Sequence, residues 1–167
     1  MIKDLKQIEL KDGDILHCMS NGWLARLIQF FTKSKFNHSA LVISIYGNIF
    51  IADSQIKGTY PKTLKEWQDK YNYKYIISRP NKFTKKEKER AIEVFGKTPY
   101  DFSSLLYQAW FQITGRWKGK TQEKAEDRMY CSEYVSYVFD KPNWWKASPV
   151  DLFEYTVEND NFTIVEL

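Results

Sequence analysis

Two cysteines, Cys18 and Cys131, and two histidines, His17 and His38, are all the chain has of either type. At most one internal disulfide can form, so a disulfide framework is excluded. A Cys2His2 zinc site would consume all four residues, and their spacing fits no compact knuckle. Neither a metal nor any other cofactor is expected. Long apolar runs are missing too. No stretch approaches the roughly 18 residues of a membrane span, and the start "MIKDLKQIELKDGD" has no signal-peptide core. A cytoplasmic protein is expected, unless export uses another route. Charge of one sign is scarce: 25 basic against 21 acidic residues leave +4, with the signs interspersed as in "KKEKER". Nucleic acid is therefore not an expected partner, although weak attraction to an anionic surface is compatible with +4.

What the chain does have is aromatic residues, 17% of 167. Most belong in a core, and "NWWKASP" and "YQAWFQITGRW" are candidates for an exposed sugar- or lipid-binding surface. The length suits one domain over 1–167. No repeat, low-complexity tract or linker divides it.

Periodicity gives the element order. Asp12-Gly13 marks a turn before a strand at Ile15 to Met19. "NGWLARLIQFFTK" reads as a helix capped by Asn21, with Trp23, Leu27 and Phe30 or Phe31 recurring at helical spacing. A hairpin follows, with strands near Ser39 to Ile45 and Ile49 to Ala52 joined through Gly47. "TYPKTLKEWQDKYN" holds a short helix capped by Thr63, and "YKYIISRP" is a strand. "FTKKEKERAIEVFGK" is a helix with a Thr84/Glu87 capping box, stopped at Gly96. Asp101 is placed as the cap of a further helix. "GRWKGKTQEKAEDR" is polar and aperiodic, a loop. In "YCSEYVSYVF", Cys131, Val135 and Val138 share one helical face. Ser148-Pro149 starts a short helical turn before a C-terminal strand. This order describes an α+β domain with an antiparallel sheet packed against helices.

Cys131 then stands at the start of a helix. A core role is the ordinary one for cysteine. At a helix N-terminus, however, unpaired N–H groups stabilise a thiolate and could hold an oxyanion. The polar loop before it would leave the sulfur reachable. Such a thiol needs a base. His38 sits at the mouth of a strand, whereas His17 lies inside one and is the weaker competitor. Asp53 follows the next strand of the hairpin, close enough to orient His38, although a turn aspartate would look the same.

These residues fall in an ordered set: "DGDIL", "FNHSALVI", "FIADSQIKGTYPKTLKEW", "ISRP", "GKTPYDF" and "YCSEYVSYVF". The set resembles the circularly permuted branch of the papain-like, NlpC-type cysteine hydrolases, histidine first and cysteine last. It covers roughly residues 12 to 140. The resemblance implies Cys131 as nucleophile, His38 as general base and Asp53 as the polar third member. Glutamate is commoner at that third place, so Glu66 and Asp101 stay as lesser candidates. Asp14, Tyr100 and Asp101 match recurrent positions, and turn and cap roles suffice for them. Tyr130 is a candidate to shape an oxyanion site. The implied chemistry is hydrolysis of an amide or peptide bond through a thioester, on a cell-wall-type peptide. A lipid acyl hydrolase or acyltransferase is the alternative, with a peptide, amide or lipid-ester substrate and room for peripheral membrane contact. A noncatalytic binding module on the same scaffold is the third reading.

Overall fold

The structure is a computed structural model that describes residues 9–55, 58–70, 74–96, 107, 110, 111, 113–121 and 128–165. In chain order it contains β1 (Ile15–Met19), α1 (Trp23–Thr32), β2 (His38–Ile45), β3 (Asn48–Gln55), β4 (Gly58–Thr63), α2 (Leu64–Lys70) and β5 (Lys74–Pro80). Next come α3 (Lys85–Glu93), α4 (Cys131–Val138), a 3-10 turn at Trp144–Lys146, α5 (Pro149–Glu158) and β6 (Phe162–Val165). The six strands form one sheet in the order β4-β3-β2-β1-β5-β6, and every pair is antiparallel. This is the expected α+β class.

Alternation of side chains divides the sheet into two apolar faces. Ile15, Leu41, Ile43 and Ala52 pack with Met129, Tyr134, Val135 and Val138 at α4 and with Leu152 of α5. Their sequence neighbours Leu16, Ala40, Val42 and Ile51 turn the other way, toward Trp67 of α2 and Leu10. Coverage on both faces explains why "SALVISI" reads as a nearly continuous apolar run.

Local signals fix most of the ends. The β2–β3 hairpin turns at Tyr46 (φ 49°) and Gly47 (φ 77°). Two left-handed residues make the turn whose twist matches the strands. Thr84 and Ser148 form capping boxes with Glu87 and Asp151, and Pro149 opens α5, which runs ten residues rather than one turn. Thr63 Oγ1 accepts from the Glu66 N–H at 3.2 Å, as expected of a cap. Asp14 is buried and accepts from Arg79 at 2.7 and 2.8 Å and from the Lys11 N–H at 2.9 Å.

Three expectations need correction. Gly58–Thr63 is a strand; its Gly58 and Pro61 hide the pattern, and proline is tolerated because β4 is an edge. β3 continues to Gln55, so Asp53 lies within a strand rather than after it. On α1 the N-cap is Gly22 rather than Asn21, with no side-chain capping bond, and the stripe at helical spacing faces solvent: Trp23 is 80% and Phe30 75% exposed. The expectations at Tyr100 and Asp101 lie outside the described residues.

Gly13 and Gly47 separate two effects of adding a side chain. Both have positive φ, and alanine there costs about 1–2 kcal/mol. At Gly47 nothing lies within 4 Å of a new Cβ, whereas at Gly13 the Phe83 ring is 2.6 Å away. Overpacking adds about 1–3 kcal/mol. Urea denaturation should therefore show Gly13→Ala losing clearly more stability than Gly47→Ala; equal losses would contradict the close approach.

Candidate active site

His38 is the first residue of β2, at the end of the sheet, opposite Cys18 of β1. In the hairpin Leu41 pairs with Ala52. Each step back along β2 is a step forward along β3, so Asp53 and Gln55 arrive beside His38 on the same face. His38 Nε2 lies 2.7 Å from Asp53 Oδ1. The other carboxylate oxygen accepts from Lys62 Nζ at 2.7 Å. Lys62 is on β4, two places beyond Tyr60, the partner of Asp53. The Gln55 amide donates to both Asp53 oxygens at 3.1 Å. It also stands 3.3 Å from His38 Nε2, where two N–H donors meet, so that approach is a contact and not a bond. With Nε2 engaged by Asp53, Nδ1 is the ring nitrogen left for Cys131, whose side chain is hydrogen-bonded to the imidazole.

Cys131 is the first residue of α4, after Tyr130 in extended conformation. Several bonds hold this helix start in place. Ser54, facing the opposite way from Asp53, donates to the Met129 carbonyl at 3.1 Å. The Tyr130 and Ser132 hydroxyls both donate to the Ala147 carbonyl, at 2.7 and 2.8 Å. The buried Glu133 carboxylate accepts from the Tyr130 N–H at 3.2 Å and from Lys120 Nζ at 2.7 Å. Adjacent residues of β3 thus serve the two halves of the site: Asp53 holds the imidazole, and Ser54 holds the segment that delivers the thiol.

The electrostatics follow from the contacts. Burial by itself would lower the His38 pKa, but the neighbouring Cys131 and Asp53 outweigh it and hold the imidazole well above its ordinary 6.5. Burial would raise the Asp53 pKa; His38 and then Lys62 reverse this and bring it to about 2. His17 differs. Its Nε2 is 2.9 Å from Ser78 Oγ, its ring lies against Phe36 and Phe153, and burial lowers its pKa to about 3. It is a neutral core histidine.

Other expectations meet mixed outcomes. The lesser candidate Glu66 is exposed and bonds the Thr63 N–H at 2.8 Å, and Asp101 lies outside the described residues. The Tyr130 phenol is committed to Ala147 and does not face an oxyanion site. Cys131 is 1% exposed, contrary to the expectation of a reachable sulfur. Trp144 of "NWWKASP" is core. Lys62, Gln55 and Glu133 escaped sequence reading. Glu133, three residues after Tyr130, carried a capping signal; Lys62 carried none while β4 went unrecognised.

The pKa shifts set a stability window. His38 binds more protons folded than unfolded, so its contribution is complete below about 6.5 and fades as pH rises through its folded value. Asp53 contributes above about 3.9, and that contribution is lost as pH falls through about 2. Unfolding free energy from urea titrations should decline above neutrality in the native protein more steeply than in His38→Gln. Parallel curves would contradict the shift.

No curated protein matches the sequence. A solved structure titled "Crystal structure of metalloprotein yiiX from Escherichia coli O157:H7" shares the fold, with a TM-score of 0.54 at 17% identity, covering 93% of this chain and 96% of that one. Residues 9–163 match the family described as "Permuted papain-like amidase enzyme, YaeF/YiiX, C92 family". That match spans most of the sequence, and the chain belongs to this permuted papain-like amidase family.

Proposed function

We propose that the chain is a cysteine-dependent amidase or peptidase whose nucleophile is Cys131, with His38 as general base and acid and Asp53 as the residue that orients His38. The observation that carries this reading is the imidazole held between Asp53 and Cys131. Asp53 fixes the tautomer by accepting from Nε2, which leaves Nδ1 to take the thiol proton. The thiolate attacks the substrate carbonyl carbon, and the C–S bond forms as the carbonyl electrons move to oxygen. N–H groups at the start of α4, which lack intrahelical acceptors, receive that oxyanion. The imidazolium then protonates the departing amine, the C–N bond breaks, and a thioester remains. His38 next takes a proton from water, the hydroxide adds to the thioester carbonyl, the C–S bond breaks to release the carboxylic acid, and the imidazolium returns its proton to the thiolate.

Lys62 and Gln55 act on this couple through Asp53. They keep it ionised in a buried place where a lone carboxylate would otherwise take up a proton. The substrate class is an amide or peptide, and a cell-wall-type peptide is one candidate within it. The metalloprotein description of yiiX is not carried over. Among the described residues no three or more His, Cys, Asp or Glu side chains converge on one point, and the Asp53 oxygens are already held by His38 and the Lys62 cation.

Iodoacetamide at neutral pH should alkylate Cys131 far faster than Cys18. Both thiols are buried, but Cys131 has the His38 imidazole beside it, whereas Cys18 donates to the Leu16 carbonyl at 3.5 Å and burial pushes its thiol pKa well up. Replacing His38 by alanine should slow Cys131 labelling by about 10²-fold or more. A panel of acyl-amide, muramyl-peptide and phospholipid electrophiles, with Cys131→Ala as blank, should give an adduct on Cys131. Equally slow alkylation of both thiols and no adduct would leave a binding module.

A further inference from the structure

We infer that α1 is an interfacial anchor that docks this protein on an anionic phospholipid bilayer. The helix is mounted through Ala25 and Gln29 rather than through its large apolar stripe. Ala25 is buried, and the Gln29 amide donates to the Ser20 and Lys35 carbonyls at 3.4 and 2.8 Å. Asn37 donates to the same Ser20 carbonyl at 3.0 Å. The two Gln29 bonds tie the rotation of the helix to the loops on either side of it. Trp23, Leu27 and Phe30 lie within about 60° of one another at 100° per residue, and they point outward, 80%, 44% and 75% exposed. An amphipathic helix ordinarily turns such a stripe to the core. Here the stripe has the Trp, Leu and Phe composition of helices that lie in the headgroup region.

Charge selects the occupant. No Asp or Glu occurs from Ile15 through Ala52, whereas Arg26, Lys33 and Lys35 in that span are all exposed. A second copy of the chain would set these three cations against three more. An anionic lipid surface would neutralise them. The position matters for function. β1 ends at Met19, β2 begins at His38, and Cys18 pairs with His38, so the segment carrying α1 leaves and re-enters the sheet at the end where His38 stands. Docking through α1 would hold that end at the headgroups. The inference stands on α1 and does not rest on the catalytic reading.

The test is co-sedimentation of the full chain with phosphatidylcholine vesicles with and without phosphatidylglycerol, with tryptophan emission recorded in parallel. Binding to the anionic vesicles is expected, with a blue shift and loss at high salt. Trp23→Ser with Phe30→Ser should weaken binding by about tenfold or more, with the thermal melt and the Cys131 alkylation rate unchanged. Arg26→Glu with Lys33→Glu should abolish the preference for phosphatidylglycerol. No binding to anionic vesicles would overturn the inference, as would binding that both double variants retain. A dimer in sedimentation velocity that Trp23→Ser with Phe30→Ser converts to monomer would also overturn it.

Discussion

The Asp53 carboxylate is fully buried and ionised, and the arrangement of the site depends on satisfying it. An unpaired charge in that place is costly, and removing a partner from a buried pair typically costs about 3–5 kcal/mol. Asp53 receives His38 on one oxygen, Lys62 on the other and the Gln55 amide on both. These donors come from three adjacent strands. The register that brings them together is therefore the register of the whole hairpin and its edge strand. A slip of one residue in β3 would turn Asp53 to the opposite face and leave His38 without its acceptor.

The same alternation places the other half of the site. Ser54, the residue after Asp53, points to the face on which α4 packs and holds the Met129 carbonyl. Below it, Tyr134, Val135 and Val138 press α4 against the sheet. The hydroxyls of Tyr130 and Ser132 then lock the helix start onto Ala147. Cys131 meets His38 because a core helix and a strand end are both anchored within one turn of the contact. The polar groups near the sulfur serve largely as fasteners. That is why the Tyr130 phenol, which from the sequence was a candidate oxyanion donor, is spent on a backbone carbonyl.

Much of this was legible before any coordinates. Short apolar runs bounded by Gly47 and Pro80 marked strands, and capping signals at Thr84 and Ser148 marked helices, because those features depend on residues within a few positions of one another. The hairpin turn made the pairing of His38 with Asp53 natural, and the family resemblance distinguished it from a turn aspartate. The hidden parts are those decided at a distance. β4 is held by pairing to β3 despite Gly58 and Pro61. Lys62 is a site residue only because β4 is a strand. The outward stripe of α1 has ordinary amphipathic spacing, and periodicity gives a face without saying which way it points. Gln29 helps to decide that through bonds to loop carbonyls that no spacing rule anticipates.

The coupling of the imidazole to the thiol is the central claim, and the titration of His38 observed by 15N NMR tests it most directly. In the native protein His38 should keep its proton well above pH 6.5, with Nε2 hydrogen-bonded to Asp53. In Cys131→Ala its midpoint should fall, because the first of the two groups that raise it is gone while burial still lowers it. An identical titration in both proteins, or an ordinary midpoint near 6.5 in the native one, would show that Cys131 and His38 do not act as a pair.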